Sequence, residues 1–320
     1  MSEFDLIARY FTRPATASAH VILGIGDDCA LLQASALQQA ISTDMLVEGR
    51  HFFADVDPRQ LGHKCLAVNL SDLAAMGARP VGFTLALALP SIDEAWLQQF
   101  SAGLFALADQ FECTLIGGDT TRGPRTICIT VFGEVEAGQA LRRDRAQVDD
   151  DIWVSGTLGE ARLALAHRRG ELVLAPDDLH AAAMRMDQPS PRVALGRALI
   201  GIANAAIDIS DGLAGDLGHI LARSQLGGRC QLDCLPVGAA LRSQPASLQT
   251  EFCLTGGDDY ELCFTAPVAQ RNAVIAVAQQ VGIAVTRIGR TEAAAGLRWQ
   301  KPDGTLLEQT FSSFDHFICP

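Results

Sequence analysis

The chain has 320 residues, of which 48% are hydrophobic and 19% are charged, and its formal net charge is −12. This length is sufficient for two domains that each bury a core, and the composition excludes a disordered chain. The negative charge argues against a nucleic-acid-binding protein, because such proteins present a basic face to the phosphate backbone.

Neither a membrane span nor a secretory signal is evident in the sequence. The longest apolar run, Val81 to Leu89, is far shorter than the ~20 residues of a membrane-spanning helix. The first residues are acidic and lack the basic and apolar regions of a signal peptide. The nine cysteines are scattered, and most lie in apolar segments, which is typical of buried thiols in a reducing compartment. Cys230 and Cys234 could form half of a zinc site, but no second pair completes it. We therefore expect a cytoplasmic protein.

The first half of the chain alternates predicted helices and strands. The best-defined element is a helix that begins at Pro58, because Asp57 is a good N-cap, proline suits the first helical position, and Gly77 suits the C-terminal end. The predicted elements, in order, are a helix over residues 4–13, strands at Val21 and over Ala40 to Ser42, the helix from Pro58, a strand over Val81 to Leu89, a helix with a capping box at Ser91-x-x-Glu94, and strands at Leu115-Ile116 and over Thr126 to Val135.

A polar and charged segment, residues 136–151, is the best place for a domain boundary. We expect domains over residues 1–137 and 138–320. The second half is predicted to contain a strand over Ile152 to Ser155, a glycine loop that opens a helix, a helix from Ser190-Pro191, a strand over Ala206 to Ile209, a helix from Leu213, a strand over Glu261 to Thr265, a helix over 268–281 and a strand over Ala284 to Ile288. Both halves lack the long parallel runs of a doubly wound sheet, which favours an α+β fold of two two-layer α/β domains.

An aspartate on the apolar side of the helix from Pro58 is the first indication of function. Leu61, Cys65 and Val68 form the apolar stripe, and at helical spacing the next residue on it is Asp72. This carboxylate also lies in the last turns of the helix, where the helix dipole disfavours negative charge by up to ~1 kcal/mol. Taken alone, Asp72 could equally reach water at the edge of the stripe.

Aspartates recur next to glycine or small hydroxyl residues at the predicted ends of apolar segments. Each such motif alone is an ordinary turn, but together with Asp72 they predict a shared acidic site, because strand ends in a layered domain meet at one edge. The motifs are Gly26-Asp27-Asp28, Ser42-Thr43-Asp44, Gly117-Gly118-Asp119, Asp208-Ile209-Ser210-Asp211-Gly212 and Gly257-Asp258-Asp259.

Converging carboxylates require either protons or cations. At ~4 Å and an effective dielectric constant near 20, each pair repels by ~4 kcal/mol, so some carboxylates must be protonated or must bind divalent ions. Aspartate with Ser and Thr hydroxyls favours Mg²⁺, which completes its coordination with waters and substrate phosphates. The pattern therefore predicts a site with several Mg²⁺ ions that binds a nucleoside triphosphate.

Other phosphate-binding features are weak or missing. The sequence contains neither Gly-x-x-x-x-Gly-Lys-[Ser/Thr] nor a protein-kinase glycine loop. The loop Gly156 to Gly159 could contact phosphate, although a plain strand–helix turn is the more common meaning of such a loop. The helix N-terminus at Ser210-Asp211-Gly212 is a stronger candidate, through its N–H groups. Arg142 and Arg143 could be a solvated charge cluster, and His51 either a ligand or a surface-loop histidine.

Taken together, the motifs resemble those of the thiamine-monophosphate kinase family. The resemblance covers essentially the whole chain, in order, and includes Phe314-Asp315-His316-Phe317 near the C-terminus. The motifs that carry it are Gly24-Ile25-Gly26-Asp27-Asp28, Ser42-Thr43-Asp44, Asn69-Leu70-Ser71-Asp72-Leu73-Ala74-Ala75-Met76-Gly77, Gly117-Gly118-Asp119-Thr120-Thr121, Ile207-Asp208-Ile209-Ser210-Asp211-Gly212 and Gly257-Asp258-Asp259-Tyr260-Glu261-Leu262.

The resemblance implies a phosphotransferase that uses ATP and several Mg²⁺ ions. It implies direct in-line transfer of the γ-phosphate onto thiamine monophosphate, giving thiamine diphosphate without a phosphoenzyme. The implied catalytic residues are Asp72, Asp208 and Asp211. The implied metal ligands are Asp28, Ser42, Thr43, Asp44, Asp72, Asp119, Asp208 and Asp211. ATP would contact Gly118, Asp119, Arg143 and Ser210, and thiamine monophosphate would contact His51, Asp258 and Phe314.

The resemblance also implies a homodimer, with no nucleic-acid or membrane partner. Domain 1–137 would bind Mg²⁺ and ATP and would join its sheet with that of a second copy into a barrel, while domain 138–320 would close the nucleotide and substrate cleft. Two residues depart from the family pattern. Asp258 replaces a common glutamate and is one methylene shorter, and Phe314 replaces an aromatic residue that often carries a hydroxyl. Both departures bear on substrate affinity.

Two alternatives remain open at the level of sequence. One is another ATP-using synthetase of the wider superfamily, which includes aminoimidazole-ribonucleotide and selenophosphate synthetases; the latter normally carry a reactive cysteine or selenocysteine near the N-terminus, and none precedes Cys29 here. The other is a non-catalytic protein that binds Mg²⁺ and nucleotide.

Overall fold

The computed structural model describes residues 3–13, 20–25, 29–307 and 311, with side chains from residue 5 onward. The chain divides into two compact units, and both mix strands with helices. The first unit comprises Met1–Leu73 and Ala78–Gly138, and the second comprises Ala74–Gly77 and Gln139–Pro320. No helix within the described ranges is long and apolar enough to span a bilayer.

The first unit is built around a four-stranded sheet. The strand order is β3-β6-β4-β5, in which β4 and β5 are parallel and the other neighbours are antiparallel. Strands β1 and β2 pair separately. The elements are α1 (Glu3–Tyr10), β1 (Val21–Leu23), β2 (Leu31–Leu32), β3 (Gln38–Val47), α2 (Pro58–Ala75), β4 (Arg79–Leu89), α3 (Glu94–Gln110), β5 (Thr114–Arg122) and β6 (Thr126–Val135).

Local capping explains where the two long helices begin. The prediction for α2 is confirmed, because the Asp57 carboxylate accepts hydrogen bonds from the N–H groups of Arg59 at 2.8 Å and Gln60 at 3.1 Å. The capping box predicted at Ser91 is wrong. Helix α3 is capped by Asp93, which accepts from two N–H groups in its first turn. An aspartate directly before the first helical residue takes these donors, and Ser91 lies outside the helix.

Two strands are longer than predicted, and this changes where the aspartate motifs lie. Strand β3 continues through Thr43 and Asp44, and β5 continues through Gly118 and Asp119. The prediction that these aspartates follow strand ends is therefore wrong. Both strands are edges of the sheet and pair on one side only, so polar residues and glycine are tolerated within them.

The second unit is built around a six-stranded sheet of order β12-β9-β11-β7-β10-β8, in which only β12 and β9 pair in parallel. Helices α5 and α8 and strands β9 and β12 were not predicted from the sequence. The elements are β7 (Asp151–Ser155), α4 (Glu160–Arg168), α5 (Pro176–Asp187), α6 (Val193–Ala198), β8 (Ala205–Asp208), α7 (Leu213–Arg223), β9 (Gly227–Gln231), α8 (Ala246–Thr255), β10 (Leu262–Ala266), α9 (Arg271–Gln280), β11 (Val285–Glu292) and β12 (Gly296–Gln300).

The two faces of the six-stranded sheet carry different residues. One face packs aliphatic side chains against helix α7, and the other carries an aromatic pair. On the covered face, Leu217 and Ile220 of α7 join Ile152 and Val154 of β7 in one buried cluster. Trp153 alternates to the other face and stacks on Phe264, with ring centroids 6.3 Å apart. Trp153 and Phe264 are themselves 5% and 0% exposed, so this face is also buried at the aromatic pair.

Candidate functional site

In the first unit, the structure brings Ser42 of β3 to Asp72 of α2. The Ser42 hydroxyl donates to the Asp72 carboxylate, which is half-buried. Asn69 holds the two elements together, because its side-chain oxygen accepts from the N–H of Asp44 at 3.1 Å while its amide donates to the Cys65 carbonyl at 3.0 Å. Ser42 and Asp44 are two residues apart on a strand and therefore share a face. Ser42 and Asp44 thus face α2, and together with Asp72 of that helix they form a group of one hydroxyl and two carboxylates.

The side chain of Thr43 lies away from this group. Its hydroxyl is 2.8 Å from the hydroxyl of Thr130 on β6, in an exposed position. Alternation along β3 places it on the face opposite Ser42 and Asp44. The geometry therefore gives no support to a metal bond from the Thr43 hydroxyl.

Asp119 lies on the opposite edge of the sheet from Asp44. Register pairs run from Asp44 through Ile129 and Leu85 to Gly118, so three strand spacings, about 14 Å, separate the two edges. At Gly118 a side chain could not fit, because a Cβ would lie 1.9 Å from the Leu85 carbonyl oxygen and φ is +152°. Asp119 and Asp44 therefore lie at neighbouring levels along the sheet but on its two edge strands, and the expectation that Asp119 shares the metal site stays a prediction.

His51 closes the turn that follows β3. Its ring Nδ1 accepts a hydrogen bond from the backbone N–H of Val47 at 3.0 Å, and the backbone N–H of His51 donates to the Val47 carbonyl at 2.9 Å. Because Nδ1 is an acceptor, a neutral His51 carries its proton on Nε2. The ring is half-buried, with its orientation set by the turn.

In the second unit, the backbone joins two of the predicted motifs. Asp208 is buried at the end of β8. The loop that follows pairs with the Gly257-Asp258-Asp259 loop, since the N–H of Asp258 donates to the Ser210 carbonyl at 2.9 Å and the N–H of Tyr260 donates to the Ile209 carbonyl at 2.8 Å. Ser210 and Asp258 are therefore brought together, and Asp208 pairs with Leu262 on the neighbouring strand.

The N–H groups of Ser210 and Asp211, just before α7, are not free. One oxygen of Asp216 accepts from the N–H groups of Ser210 and Asp211, both at 3.1 Å. Burial raises the pKa of Asp216 to about 7, against the opposing effect of these backbone hydrogen bonds. The prediction that free N–H groups here bind phosphate is wrong, because a carboxylate from the first turn of α7 already occupies them.

The loop that carries Asp258 has unusual backbone geometry. Asp258 and Tyr260 have φ of 65° and 49°, a left-handed conformation that costs roughly 1–3 kcal/mol for a residue other than glycine. The Tyr260 hydroxyl donates to the Asp258 carboxylate at 3.1 Å. The motif follows helix α8 and precedes β10, which confirms the strand predicted directly after it. Such strain is typical of functional loops whose surroundings hold them in place.

The remaining predicted residues are less informative. Arg143 is exposed, and its carbonyl accepts from the Ser224 hydroxyl at 2.9 Å. Asp28 and Phe314 lie outside the described residues. Within the described ranges, no three side chains of His, Cys, Asp or Glu are placed to hold a metal ion by themselves. Mg²⁺ fits this arrangement, because it is commonly held by one or two carboxylates while waters and substrate phosphates complete its shell.

Comparison with known proteins identifies the family. Two family models match, "AIR synthase related protein, N-terminal domain" over residues 26–135 and its C-terminal counterpart over residues 147–300. The thiamine-monophosphate kinase of Salmonella typhimurium is 47% identical over 322 residues, which cover 99% of each chain. The chain belongs to the thiamine-monophosphate kinase family.

Solved structures of thiamine-monophosphate kinases share the fold. That from Stenotrophomonas maltophilia is 48% identical, with a TM-score of 0.85 over 90% of this chain and 92% of that one. A structure of AaThiL complexed with AMPPCP and TMP is 29% identical, with a TM-score of 0.78 over 92% of both chains.

Beside the thiamine-monophosphate kinase motifs lies a buried charge network that sequence reasoning missed. Glu261 has no exposed surface and accepts from the Ser155 hydroxyl, Arg185 Nη2 and Arg192 Nε, each at 2.6 Å. It directly follows the strained Asp258–Tyr260 loop, which it anchors to the sheet. The sequence indicated Glu261 only weakly, because this residue lies within a recognised motif. It did not indicate that Arg185 and Arg192 would pair with it.

The neighbouring Asp259 explains the glycine loop after β7. Both oxygens of its buried carboxylate lie 3.0 Å from the N–H of Gly159, and the N–H groups of Gly156 and Leu158 donate to backbone carbonyls. Three N–H donors of the loop are therefore used within the protein, as in a plain strand–helix turn.

Proposed function

We propose that this protein transfers the γ-phosphate of ATP to the phosphate of thiamine monophosphate, directly and in line, with the help of several Mg²⁺ ions. The observation that carries the proposal is 47% identity to a thiamine-monophosphate kinase across 99% of both chains. The relative complexed with AMPPCP, an ATP analogue, and TMP adds support. The product, thiamine diphosphate, places the protein in thiamine diphosphate biosynthesis.

The geometry of the first unit supports a role in Mg²⁺ binding. Two phosphates that approach each other repel, and Mg²⁺ supplies the charge neutralisation that brings them together. Asp72 and Asp44 are proposed to hold Mg²⁺, with the hydroxyl of Ser42 as a neutral ligand. The hydrogen bond from Ser42 orients the Asp72 carboxylate, and Asn69 fixes the strand that carries both Ser42 and Asp44.

The remaining roles rest on the family resemblance and are proposed residue by residue. Phosphoryl transfer needs positioning more than covalent chemistry, and a phosphate monoester needs no general base at neutral pH. In the proposal, Asp208 and Asp211 act with Asp72 in catalysis and bind Mg²⁺ together with Asp119 and Asp28; Gly118, Asp119, Arg143 and Ser210 contact ATP; and His51, Asp258 and Phe314 contact thiamine monophosphate.

A homodimer is proposed for the first unit. Ile41 and Met45 of β3 are 58% and 55% exposed on the sheet face opposite Ser42, and exposed apolar surface of this kind is typical of protein interfaces. We expect a solution mass of twice 34.0 kDa by light scattering. Met45→Glu should shift the protein toward the monomer, and a monomeric wild type at micromolar concentration would contradict the dimer.

The proposed reaction is tested by following ADP release and thiamine diphosphate formation together. Both should depend on thiamine monophosphate and on Mg²⁺, and one thiamine diphosphate should form for each ADP released. ATP turnover that is unchanged by thiamine monophosphate, or that requires a different acceptor, would favour another synthetase of the superfamily. Nucleotide binding without turnover would favour a non-catalytic protein.

Stereochemistry at phosphorus separates direct transfer from a phosphoenzyme. With ATP made chiral at the γ-phosphorus, a single in-line step inverts the configuration, whereas two successive transfers retain it. Inversion is expected. Retention would contradict direct transfer while leaving the identity of the substrates intact.

A further inference from the structure

The six-stranded sheet carries, on the face of Trp153, an arginine-rich cavity that the proposed reaction does not use. Its volume is about 260 Å³, and its charged lining comes from Arg229, Arg271, Arg287, Arg290, Asp151 and Glu292. Four positive and two negative side chains leave a local charge of +2. The chain as a whole carries −12, so this concentration of arginine runs against its overall composition.

A β-bulge brings two of these arginines to one cavity. Arg287 and Arg290 are three residues apart on β11 and would point to opposite faces of a regular strand. The pairing of β11 with β7 shifts between Arg287 and Gly289, which re-aims the side chains so that both line the cavity. At Gly289, a Cβ would lie 2.2 Å from the Arg229 carbonyl oxygen, so the tight backbone at the bulge requires glycine.

The arginines are placed so that like charges face each other. Arg290 of β11 pairs directly with Arg229 of β9, and like charges at such positions destabilise a sheet. Among the described residues, the Arg290 guanidinium forms an ion pair with Asp149 alone, at 3.6 Å, and the Arg229 guanidinium donates only its Nε, to Glu292 at 2.7 Å. By contrast, Arg298 of β12, which pairs with Arg229 on the other side of β9, donates its guanidinium hydrogens to the backbone carbonyls of residues 294–296.

A buried aspartate holds the other two arginines in position. Asp151 is almost fully buried at the start of β7. Its carboxylate accepts two hydrogen bonds from Arg271, one of them at 2.8 Å, and one from Arg287 at 3.4 Å. Asp151 occupies the Nε and Nη2 donors of Arg271 and only Nη1 of Arg287, so both side chains are oriented before any ligand binds, which reduces the entropic cost of binding.

We propose that this cavity binds a phosphate or diphosphate group, either as the free inorganic anion or as the end of a larger metabolite. Arginine forks match phosphate oxygens through paired hydrogen bonds, and the local charge of +2 offsets most of the charge of such an anion. The cavity is smaller than the ~300–1,000 Å³ that enclose drug-sized ligands. It therefore takes the phosphoryl end of a molecule and leaves any larger part in solvent.

The test is calorimetric titration with inorganic diphosphate in EDTA, where the proposed Mg²⁺-dependent site has no bridging cation. The full chain should bind diphosphate at one site, with an affinity that falls as salt rises. Arg229→Gln combined with Arg290→Gln should weaken binding at least tenfold. Arg223→Gln, the same charge change at an exposed position of α7, should leave it unchanged, and ADP release with thiamine monophosphate should be the same in all variants.

Two results would overturn the proposal, namely no binding by the wild type or binding that the double variant retains. If the double variant fails to fold, Arg290→Lys keeps the charge but loses the paired geometry, and it should still weaken binding severalfold; unchanged affinity in that variant would count against the site. Parallel titrations with phosphate, diphosphate and ribose 5-phosphate distinguish a free inorganic anion from a phosphorylated metabolite.

Discussion

Neutralising Glu261 tests the buried charge network of the second unit. Glu261→Gln keeps the shape and one acceptor oxygen but leaves Arg185 and Arg192 facing an uncharged group. Their side chains are only 22% and 16% exposed, so water compensates the lost charge poorly. Breaking a buried ion pair in this way costs about 3–5 kcal/mol, and the partial exposure of the arginines favours the lower end, about 3 kcal/mol.

Urea unfolding followed by tryptophan fluorescence measures this loss. Trp153 and Trp299, both nearly buried in the second unit, report its unfolding, and the midpoint should fall while the slope is unchanged. The matched control is Glu171→Gln, which removes the same charge from a partly exposed pair with Arg162 and should cost less than about 1 kcal/mol.

A double-mutant cycle assigns the effect to the ion pair. Adding Arg192→Gln to Glu261→Gln removes one uncompensated charge, so the second change should cost less than it does in the wild type, by at least about 1 kcal/mol. The reasoning would be refuted if Glu261→Gln cost no more than Glu171→Gln, or if the two changes at Glu261 and Arg192 were additive.

The remaining predictions concern activity, thiol reactivity and acid stability. Asp72→Asn should lower kcat by about 10²–10³-fold with the fold intact by circular dichroism, because it removes charge stabilisation; near-wild-type turnover at saturating Mg²⁺ would contradict this role. At pH 8, iodoacetamide should label exposed Cys29 rapidly but reach Cys65, whose pKa is raised by burial, only on unfolding; mass spectrometry of the peptides decides. Burial raises the pKa of Asp151, but Arg271 and Arg287 outweigh it and hold that pKa below 3.8. Its stabilisation is therefore complete above about pH 4 and is lost progressively as the pH falls further, so the urea-measured cost of Asp151→Asn should be larger at pH 7 than at pH 3; an equal cost at both would oppose the assignment.

Local chemistry allowed the sequence alone to determine several features. Asp57 before Pro58 predicted the start of α2, because a side-chain cap and a fixed proline φ act within a few residues. The aspartate motifs, taken in order along the chain, predicted the family that the comparisons confirmed. Asp72 was singled out because helical spacing places it beside residues of the apolar stripe, and this periodicity is also local.

Strand order and register, which local propensity does not encode, decided the rest. Ser42 meets Asp72 because β3 packs against α2, whereas Asp119 lies three strand spacings away. The donors before α7 are taken by Asp216, a residue five or six positions further along. The arginine cavity draws Arg229 and Arg290 from strands far apart in sequence, and a bulge at Gly289 aims its side chains. Such contacts depend on which strands become neighbours, and only the tertiary structure specifies that.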